Sequence, residues 1–164
     1  MFYKNKKVVV SGGSGMIGYQ VIRKLLKFGA EVKTHTHNRP LNVVDDRIEV
    51  LENINLEKFD DCMKLVEGAD YVIHCAGKIA HPSDVPTDFQ VAMNQIVCTT
   101  NLLEASYKSN IKRFVDINSS TGYPDRKYPI TEDEYWDGEP HESYFGYGWM
   151  RRYREKLMEF VSGF

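Results

Sequence analysis

The sequence contains few of the residues that mark several large protein classes. Its three cysteines, Cys62, Cys75 and Cys98, are odd in number and far apart, which argues against a disulfide framework. The five histidines are scattered, and no cysteine–histidine cluster has zinc spacing. A net charge of −2 without a basic run gives no electrostatic footprint for nucleic acid or for a membrane surface. We therefore expect reduced thiols, no metal site, no nucleic-acid partner and a cytoplasmic protein.

Long apolar runs are also absent. No stretch approaches the roughly 18 residues of a membrane-spanning helix, and the N-terminus has no signal-peptide core. The 42% apolar and 27% charged content is that of an ordinary globular protein, and 164 residues correspond to about one hydrophobic core. The expectation is one domain over residues 1–164 that does not enter a membrane.

Glycine, in contrast, is concentrated near the N-terminus. Val8, Val9 and Val10 predict a buried strand, glycines follow at 12, 13, 15 and 18, and an amphipathic helical pattern begins at Met16. Both Gly13-x-Gly15-x-x-Gly18 and Gly12-x-x-Gly15-x-x-Gly18 fit a dinucleotide-binding fingerprint, in which glycines allow a tight turn, close approach of a pyrophosphate and close packing of the helix. The positive end of the helix would face the phosphates. A purely structural turn is the alternative.

The rest of the chain alternates between the two kinds of secondary structure. Strands are predicted at 31–36, 47–51, 69–77 and 111–117, and helices at 16–28, 59–66, 89–106 and from about Trp149 onward. Residues 81–88 are predicted to form a loop, and the acidic stretch 125–143 a solvated loop rather than a metal site. Such alternation indicates an α/β fold, a Rossmann-type doubly wound parallel sheet with helices on both faces.

The region after the second predicted strand bears on the choice of cofactor. NAD-binding folds place an acidic residue here to hold the ribose 2′-hydroxyl, but residues 32–44 contain no Asp or Glu. Asn38 and Arg39 stand there instead, and a guanidinium attracts a 2′-phosphate. We therefore expect NADP, with NAD possible; a polar loop with an incidental arginine is the alternative.

Three stretches together resemble one family. Ser11–Gly18 is similar to T-G-G-x-G-F-I-G, and Asp70–Gly77 to D-x-V-x-H-x-A-[AG]. Asn94 followed by Thr99–Ala105 is similar to N-x-x-G-T-x-N-L-L-E-A. The family is the extended short-chain dehydrogenase/reductase family, the NAD(P)-dependent epimerases and dehydratases of nucleotide sugars.

The resemblance implies a set of cofactor-binding residues and a catalytic site. The cofactor-binding residues are Gly12, Gly15, Met16, Ile17, Gly18, Asn38, Arg39, Asn55, Leu56, Cys75, Ala76, Gly77 and Asn94. Asn55 replaces the aspartate that the family usually has before leucine, near the adenine.

The catalytic residues would be Ser119, four residues before Tyr123-Pro124, together with Tyr147 and Arg151, which match the family's Tyr-x-x-x-Lys with arginine in place of lysine. Residues four apart on a helix share a face, and a nearby cation favours the phenolate of a tyrosine that acts as acid or base. The serine would hold a substrate oxygen. Arginine keeps the charge of lysine but not its compact ammonium. A polar strand end and an aromatic helix start are the alternative interpretation of Ser119 and Tyr147.

The family's chains are about twice as long as this sequence, so the resemblance implies that the chain lacks a C-terminal substrate-binding portion. The expected function is an NAD(P)-dependent oxidoreductase, epimerase or dehydratase of a nucleotide-linked sugar. The expected assembly is a homodimer. The alternative is a sensor or regulatory module that binds NAD(P) without catalysis.

Overall fold

A computed structural model describes residues 2–77 and 89–163, so the predicted loop at 81–88 lies outside the described residues. The chain divides into two compact units. The first is formed by Met1–Gly77 and Val97–Ile117. The described residues of the second are 89–96 and 118–163.

The first unit is built on a five-stranded parallel sheet. The strands are β1 (Lys7–Ser11), β2 (Glu31–His35), β3 (Ile48–Leu51), β4 (Tyr71–His74) and β5 (Arg113–Asp116), in the spatial order β3-β2-β1-β4-β5. All four strand pairs are parallel, and Val10, the last residue but one of β1, lies beside Thr34 and Ile73. The predicted parallel sheet is confirmed, with the second to fifth strands shorter than expected.

Helices cover both faces of this sheet. They are α1 (Met16–Lys27), α2 (Phe59–Val66) and α3 (Phe89–Lys108), of which α3 begins in the second unit and continues in the first. Val8 and Val10 pack with Ile22 and Leu25 of α1, whereas Val9 faces the other way into a cluster that contains residues of α2 and α3. Alternate side chains of one strand therefore enter two cores, as a doubly wound sheet requires.

Two glycines end the first two helices. Gly29 follows α1 with a φ of +78°, and Gly68 follows α2 with a φ of +70°. This left-handed conformation is easily adopted by glycine and lets the backbone satisfy the last carbonyls of a helix, as in the bond from the Gly29 N–H to the Leu26 oxygen. Both predicted helix ends are confirmed.

The second unit contains three short 3-10 helices and one long α-helix. The 3-10 helices are Ser120–Gly122, Glu132–Trp136 and Glu142–Tyr144, and α4 is Phe145–Ser162. The prediction that this helix begins near Trp149 is wrong by one turn. Gly146 and Gly148 weaken the helical pattern in the sequence, but a Cβ at Gly148 would lie 2.6 Å from the Thr121 oxygen and would overlap Pro140. A glycine therefore lets α4 pack closely against both.

Arg152 joins the irregular segment of the second unit to α4. Its side chain is 2% exposed and donates to the carbonyl oxygens of Gly122 (2.8 Å), Tyr135 (2.7 Å) and Gly138. A buried guanidinium with a carbonyl acceptor at each of its three nitrogens has a structural role, with three of its five N–H groups donated to the backbone. The spacing from Tyr147 singled out its neighbour Arg151, but no pattern in the sequence predicted this structural role of Arg152.

The acidic residues of the segment 125–143 are mostly exposed, as a solvated loop predicts. Glu134 is the exception, since its carboxylate accepts from the Thr131 N–H and hydroxyl and closes a capping box. Within residues 2–77 and 89–163, no three His, Cys, Asp or Glu side chains come together in a way that could hold a metal ion. No helix in this described part is both long and apolar enough to cross a membrane.

Candidate functional site

The glycine turn after β1 is shaped by two close backbone approaches. Gly12 has a φ of +71°, and a Cβ there would lie 2.7 Å from the Cα and the nitrogen of Ala76. A Cβ at Gly18 would overlap the Gly12 carbonyl oxygen. Glycine at both positions lets the turn lie directly against α1 and against the segment that follows β4.

Gly15 has a different environment. It is the N-cap residue of α1, with an ordinary φ of −84°, and the one heavy atom of the described chain within 4 Å of a Cβ there is the Gly12 oxygen at 3.1 Å. Met16 is 80% exposed, and Ile17 is also exposed. Among the described residues α1 has no side-chain cap and no acid in its first turn. The first N–H groups of α1 are therefore accessible to an anion, and a dinucleotide pyrophosphate fits this open glycine cradle.

A buried polar chain fixes the end of β4 beside the turn. The Ser11 hydroxyl lies 2.6 Å from His74 Nδ1 and accepts the Ala76 N–H at 3.2 Å, while His74 Nε2 lies 3.1 Å from the Thr99 hydroxyl. Because Ser11 Oγ accepts from Ala76, its own proton is available to His74. These contacts hold Ala76 against Gly12. The sequence motif contained Ser11, His74 and Thr99, but the site prediction named none of them.

The region predicted to select the cofactor lies next to the turn. Asn38 and Arg39 are exposed, and the Ser14 hydroxyl donates to the Arg39 carbonyl at 3.0 Å. This bond connects the Arg39 backbone to the middle of the glycine turn, and the exposed guanidinium takes no part in it. The structure therefore brings Arg39 close to the turn.

His35 is a further residue of this region that the site prediction missed. Its Nε2 accepts the Gly12 N–H at 3.3 Å, and its side chain is 7% exposed. Burial, and to a smaller extent the nearby His37, lowers the pKa of His35 to about 4, so the imidazole is neutral near pH 7. An imidazole at a strand end has no spacing signal in a single sequence.

The remaining predicted cofactor residues of the first unit lie after β3 and β4. Asn55 uses its side-chain oxygen to accept the Glu57 N–H, and the buried Leu56 receives a bond to its carbonyl from the Asn101 amide. Asn101 also donates to the Glu57 oxygen at 2.9 Å, so this segment is anchored to α3. Cys75, Ala76 and Gly77 directly follow β4. Burial raises the pKa of the Cys75 thiol to about 11, which leaves it protonated and unreactive near neutrality.

The predicted catalytic residues lie in the second unit, together with Asn94. Asn94 is on the first part of α3, where its side-chain oxygen accepts from Gln90. Ser119 is the N-cap of the first 3-10 helix, and its oxygen accepts from the Thr121 N–H and hydroxyl, each at 3.4 Å. Both contacts use Ser119 as an acceptor, so its own proton is still available to donate.

Tyr147 and Arg151 lie one helical turn apart on α4. Tyr147 is 7% exposed and packs with Val91 and Met150, and Arg151 donates from Nη2 to the Gln95 side-chain oxygen at 2.8 Å. The predicted spacing is thus realised on a helix, whose first turn contacts the Thr121 carbonyl two residues after Ser119. Gln95 and Asn118, which donates to the Arg151 carbonyl at 3.2 Å, were not predicted.

Comparison with known proteins identifies a family. A model of the NAD dependent epimerase/dehydratase family matches residues 8–162. The chain is 25% identical over 149 residues to GDP-mannose 3,5-epimerase of Arabidopsis thaliana, covering 86% of this chain and 40% of that protein. It is 31% identical over 148 residues to a bifunctional UDP-glucose 4-epimerase and UDP-xylose 4-epimerase of Pisum sativum, covering 81% of this chain and 42% of that protein. The chain thus spans about two-fifths of the length of these relatives.

Solved structures share the fold. An epimerase from Methanothermobacter thermautotrophicus superposes with a TM-score of 0.84 at 21% identity, covering 99% of this chain and 49% of that one. The Bordetella bronchiseptica enzyme WbmH, in complex with NAD+, gives a TM-score of 0.77 at 20% identity, covering 96% and 53%. A GDP-mannoheptose C4 reductase from Campylobacter jejuni with NADP bound gives a TM-score of 0.76 at 18% identity, covering 93% of this chain and 46% of that one.

Proposed function

The chain belongs to the NAD dependent epimerase/dehydratase family, and from this premise we propose that it binds NADP(H) for an oxidoreductase, epimerase or dehydratase reaction on a nucleotide-linked sugar. The nucleotide-sugar substrate is supported by relatives named as epimerases of GDP-mannose and UDP-glucose. The domain assignment that goes with this proposal is a single cofactor-binding portion over residues 1–164.

One observation carries the proposal: the open cradle at Gly15 in an otherwise tightly packed turn. Gly12 and Gly18 are explained by contacts within the chain, because a Cβ at either would strike backbone. A Cβ at Gly15 would meet the Gly12 oxygen alone among the described atoms. The exposed first turn of α1 offers N–H donors at the same place. Gly12, Gly15, Met16, Ile17 and Gly18 would hold the pyrophosphate there.

The preference for NADP over NAD is supported by charge. The segment 32–44 has no carboxylate that could repel a 2′-phosphate, and the Ser14–Arg39 bond keeps Arg39 beside the turn. A guanidinium offers a bidentate, always charged partner to a phosphate. Asn38 and Arg39 would therefore contact the adenosine ribose. Asn55, Leu56, Cys75, Ala76, Gly77 and Asn94 complete the proposed cofactor site.

The reaction would use Ser119, Tyr147 and Arg151. A bound nicotinamide supplies the hydride acceptor or donor. Ser119 would donate its free proton to a hydroxyl or carbonyl oxygen of the sugar, and Tyr147 would move the proton of that oxygen. Arg151, one turn along α4, would favour the phenolate of Tyr147 through its charge. Arg151 cannot itself give up a proton at working pH.

A second function is favoured by the same arginine. Where the family motif has lysine, Arg151 donates to Gln95 and cannot relay a proton. A module that binds NAD(P) and does not catalyse would tolerate this exchange. Incubation with GDP- and UDP-linked sugars in the presence of NADP or NADPH separates the two functions when the sugar nucleotide itself is followed by NMR. Only an enzyme converts the sugar; a reductase also lowers the absorbance of NADPH, whereas an epimerase or dehydratase returns its cofactor to the starting state.

Two finer proposals concern assembly and location. Phe145, Trp149 and Tyr153 are more than 40% exposed at four-residue spacing along α4, which supports a homodimer, and sedimentation analysis at several concentrations tests it. The three free cysteines support a cytoplasmic protein.

The decisive experiment for the proposal is calorimetric titration of the chain with NADP and with NAD. We expect NADP to bind more tightly and Arg39→Ala to remove the preference. Arg23→Ala is the matched control, since Arg23 is an exposed arginine on α1. Equal affinities of the parent for both cofactors, or an unchanged preference in Arg39→Ala, would contradict the proposed selectivity. Absence of binding to either cofactor would overturn the proposed function.

A further inference from the structure

Asn118 lies in the short segment between the end of β5 and the proposed catalytic serine. It comes two residues after Asp116, the last residue of β5, and directly before Ser119. Its side chain is directed to α4, where Nδ2 donates to the Arg151 carbonyl oxygen at 3.2 Å and to Glu155 Oε1 at 3.0 Å. One amide thus joins the segment that carries Ser119 to the helix that carries Tyr147 and Arg151.

The two acceptors call for the two hydrogens of an amide. Arg151 and Glu155 are four residues apart, so they lie on the same face of α4, which is also the face of Tyr147. Asn118 donates one N–H to each. An aspartate could donate to neither while ionised, and it would place a second carboxylate beside Glu155. A serine could donate to one of them.

The oxygen end of the amide lies beside another buried polar group. Asn118 Oδ1 makes no hydrogen bond of full geometry within residues 2–77 and 89–163, but the Tyr135 phenol, whose hydroxyl is buried too, interacts with the Asn118 side chain. A buried acceptor without a full hydrogen bond lowers the stability of the folded chain. The opposite orientation of the amide would direct the oxygen at the Arg151 carbonyl and the Glu155 carboxylate, which repel it. The contacts to α4 therefore fix the orientation and offset the cost of the unsatisfied oxygen.

We infer that Asn118 is a positioning residue that sets the distance between Ser119 and the Tyr147–Arg151 face of α4; this inference rests on the proposed function of those three residues. A second contact holds the same segments at the other end, where Gly148 lets α4 approach the Thr121 carbonyl. Asn118 holds the helix one turn further on. It acts through Ser119 and Arg151 and contacts no reacting atom.

The test is the titration of the Tyr147 phenol in the 164-residue chain, followed by NMR with carbon-labelled tyrosine. The Tyr147 resonance is assigned by its absence in Tyr147→Phe. Arg151→Met removes the cation and is expected to raise the midpoint of this titration by about 1 pH unit. Asn118→Ala is expected to raise it by about half as much, because the Arg151 backbone loses its contact with the Ser119 segment while the guanidinium keeps its bond to Gln95. Asn118→Ser retains one donor and is expected to fall between the parent and the alanine variant.

The control is Ser120→Ala, an exposed neighbour on the other side of Ser119, which is expected to leave the midpoint unchanged. If Arg151→Met shifts the midpoint and neither Asn118 variant does, Asn118 is not a positioning residue and the proposed function stands. If Arg151→Met itself has no effect, the proposed Tyr147–Arg151 pairing is wrong, and the role of Asn118 falls with it. Should Asn118→Ala fail to fold, Asn118→Ser alone decides.

Discussion

The imidazole of His35 holds the glycine turn through a hydrogen bond, in which Nε2 accepts the Gly12 N–H at 3.3 Å. An acceptor at Nε2 requires a neutral ring whose proton is on Nδ1. Nδ1 is itself buried and makes no hydrogen bond with residues 2–77 or 89–163. Protonation of this ring would remove the acceptor for Gly12 and would charge a group that is shielded from water. The turn is therefore linked to the protonation state of one side chain.

This linkage predicts that acid destabilises the first unit through His35. The pKa is lowered from 6.5 to about 4 by burial and by His37, so the contribution of His35 to stability is present above pH 6.5. It is lost as the pH falls towards 4, because only the unfolded state then binds the proton. Between pH 7 and pH 5 the free energy of unfolding should fall by about 2 kcal/mol on this account. Urea unfolding across that range measures it.

The control separates His35 from the other titrating groups. His35→Leu cannot bind a proton, so its stability should fall less steeply between pH 7 and pH 5 than that of the parent. His37→Ala alters an exposed neighbour, so the free energy of unfolding of this variant should depend on pH almost as steeply as that of the parent. An identical slope in His35→Leu and the parent would show that His35 titrates normally.

The contrast between Gly15 and Gly18 gives a second prediction. Gly15→Val should abolish NADP binding and change the free energy of unfolding by less than about 1 kcal/mol, because the backbone of Gly15 is already extended and its Cβ would meet the Gly12 oxygen alone among the described atoms. Gly18→Val should destabilise the chain by about 3 kcal/mol or more, because its Cβ would overlap that same oxygen. Calorimetric titration and urea unfolding of both variants measure the two effects. Wild-type affinity in Gly15→Val would mean that the turn is purely structural.

A third prediction concerns Arg152. Replacing it by methionine leaves three carbonyl oxygens without their donor, so Arg152→Met should lower the free energy of unfolding by about 3 kcal/mol. The chain has two tryptophans, and the guanidinium lies 5.5 Å from the ring of Trp136 and 5.3 Å from that of Trp149. Tryptophan fluorescence therefore follows this cluster during unfolding. Arg126→Met is the comparison, because Arg126 also donates to a carbonyl but is exposed, and a similar loss there would refute the role of burial.

The sequence predicted most of the first unit because local signals and the fold agree there. Val8 to Val10, the glycine turn and the glycines that end α1 and α2 each have one dominant physical reason, and all of them favour the same parallel sheet. The beginning of α4 was missed because glycine lowers helix propensity in the sequence. Gly148 is required there by its close contact with Thr121 and Pro140, which are distant in the chain.

The supporting residues of the site could not be predicted for a related reason. His35, Gln95, Asn118 and Arg152 each act through one to three hydrogen bonds to residues that are far away in the chain. Such contacts leave no period and no spacing in one sequence. Arg151 and Arg152 are adjacent and chemically identical, yet one donates to a glutamine side chain and the other to three carbonyls.

Arg151 gives the last prediction, on which the choice between enzyme and binding module depends. In a chain that transfers hydride, Arg151→Lys should retain or raise turnover, because the charge that favours the Tyr147 phenolate is kept. Arg151→Met should lose most of it, because too little phenolate is then present near neutrality. The pH–rate profiles of the two variants, measured beside Tyr147→Phe, distinguish these effects. The acidic limb of Arg151→Met should move to higher pH, whereas Tyr147→Phe should be inactive at every pH. Turnover by Tyr147→Phe at the parent's rate would rule out Tyr147 as the acid–base group. If neither the parent nor any variant converts a sugar nucleotide, as followed by NMR of the sugar, the chain is a binding module, and Arg151 replaces lysine in a site that binds the cofactor without catalysis.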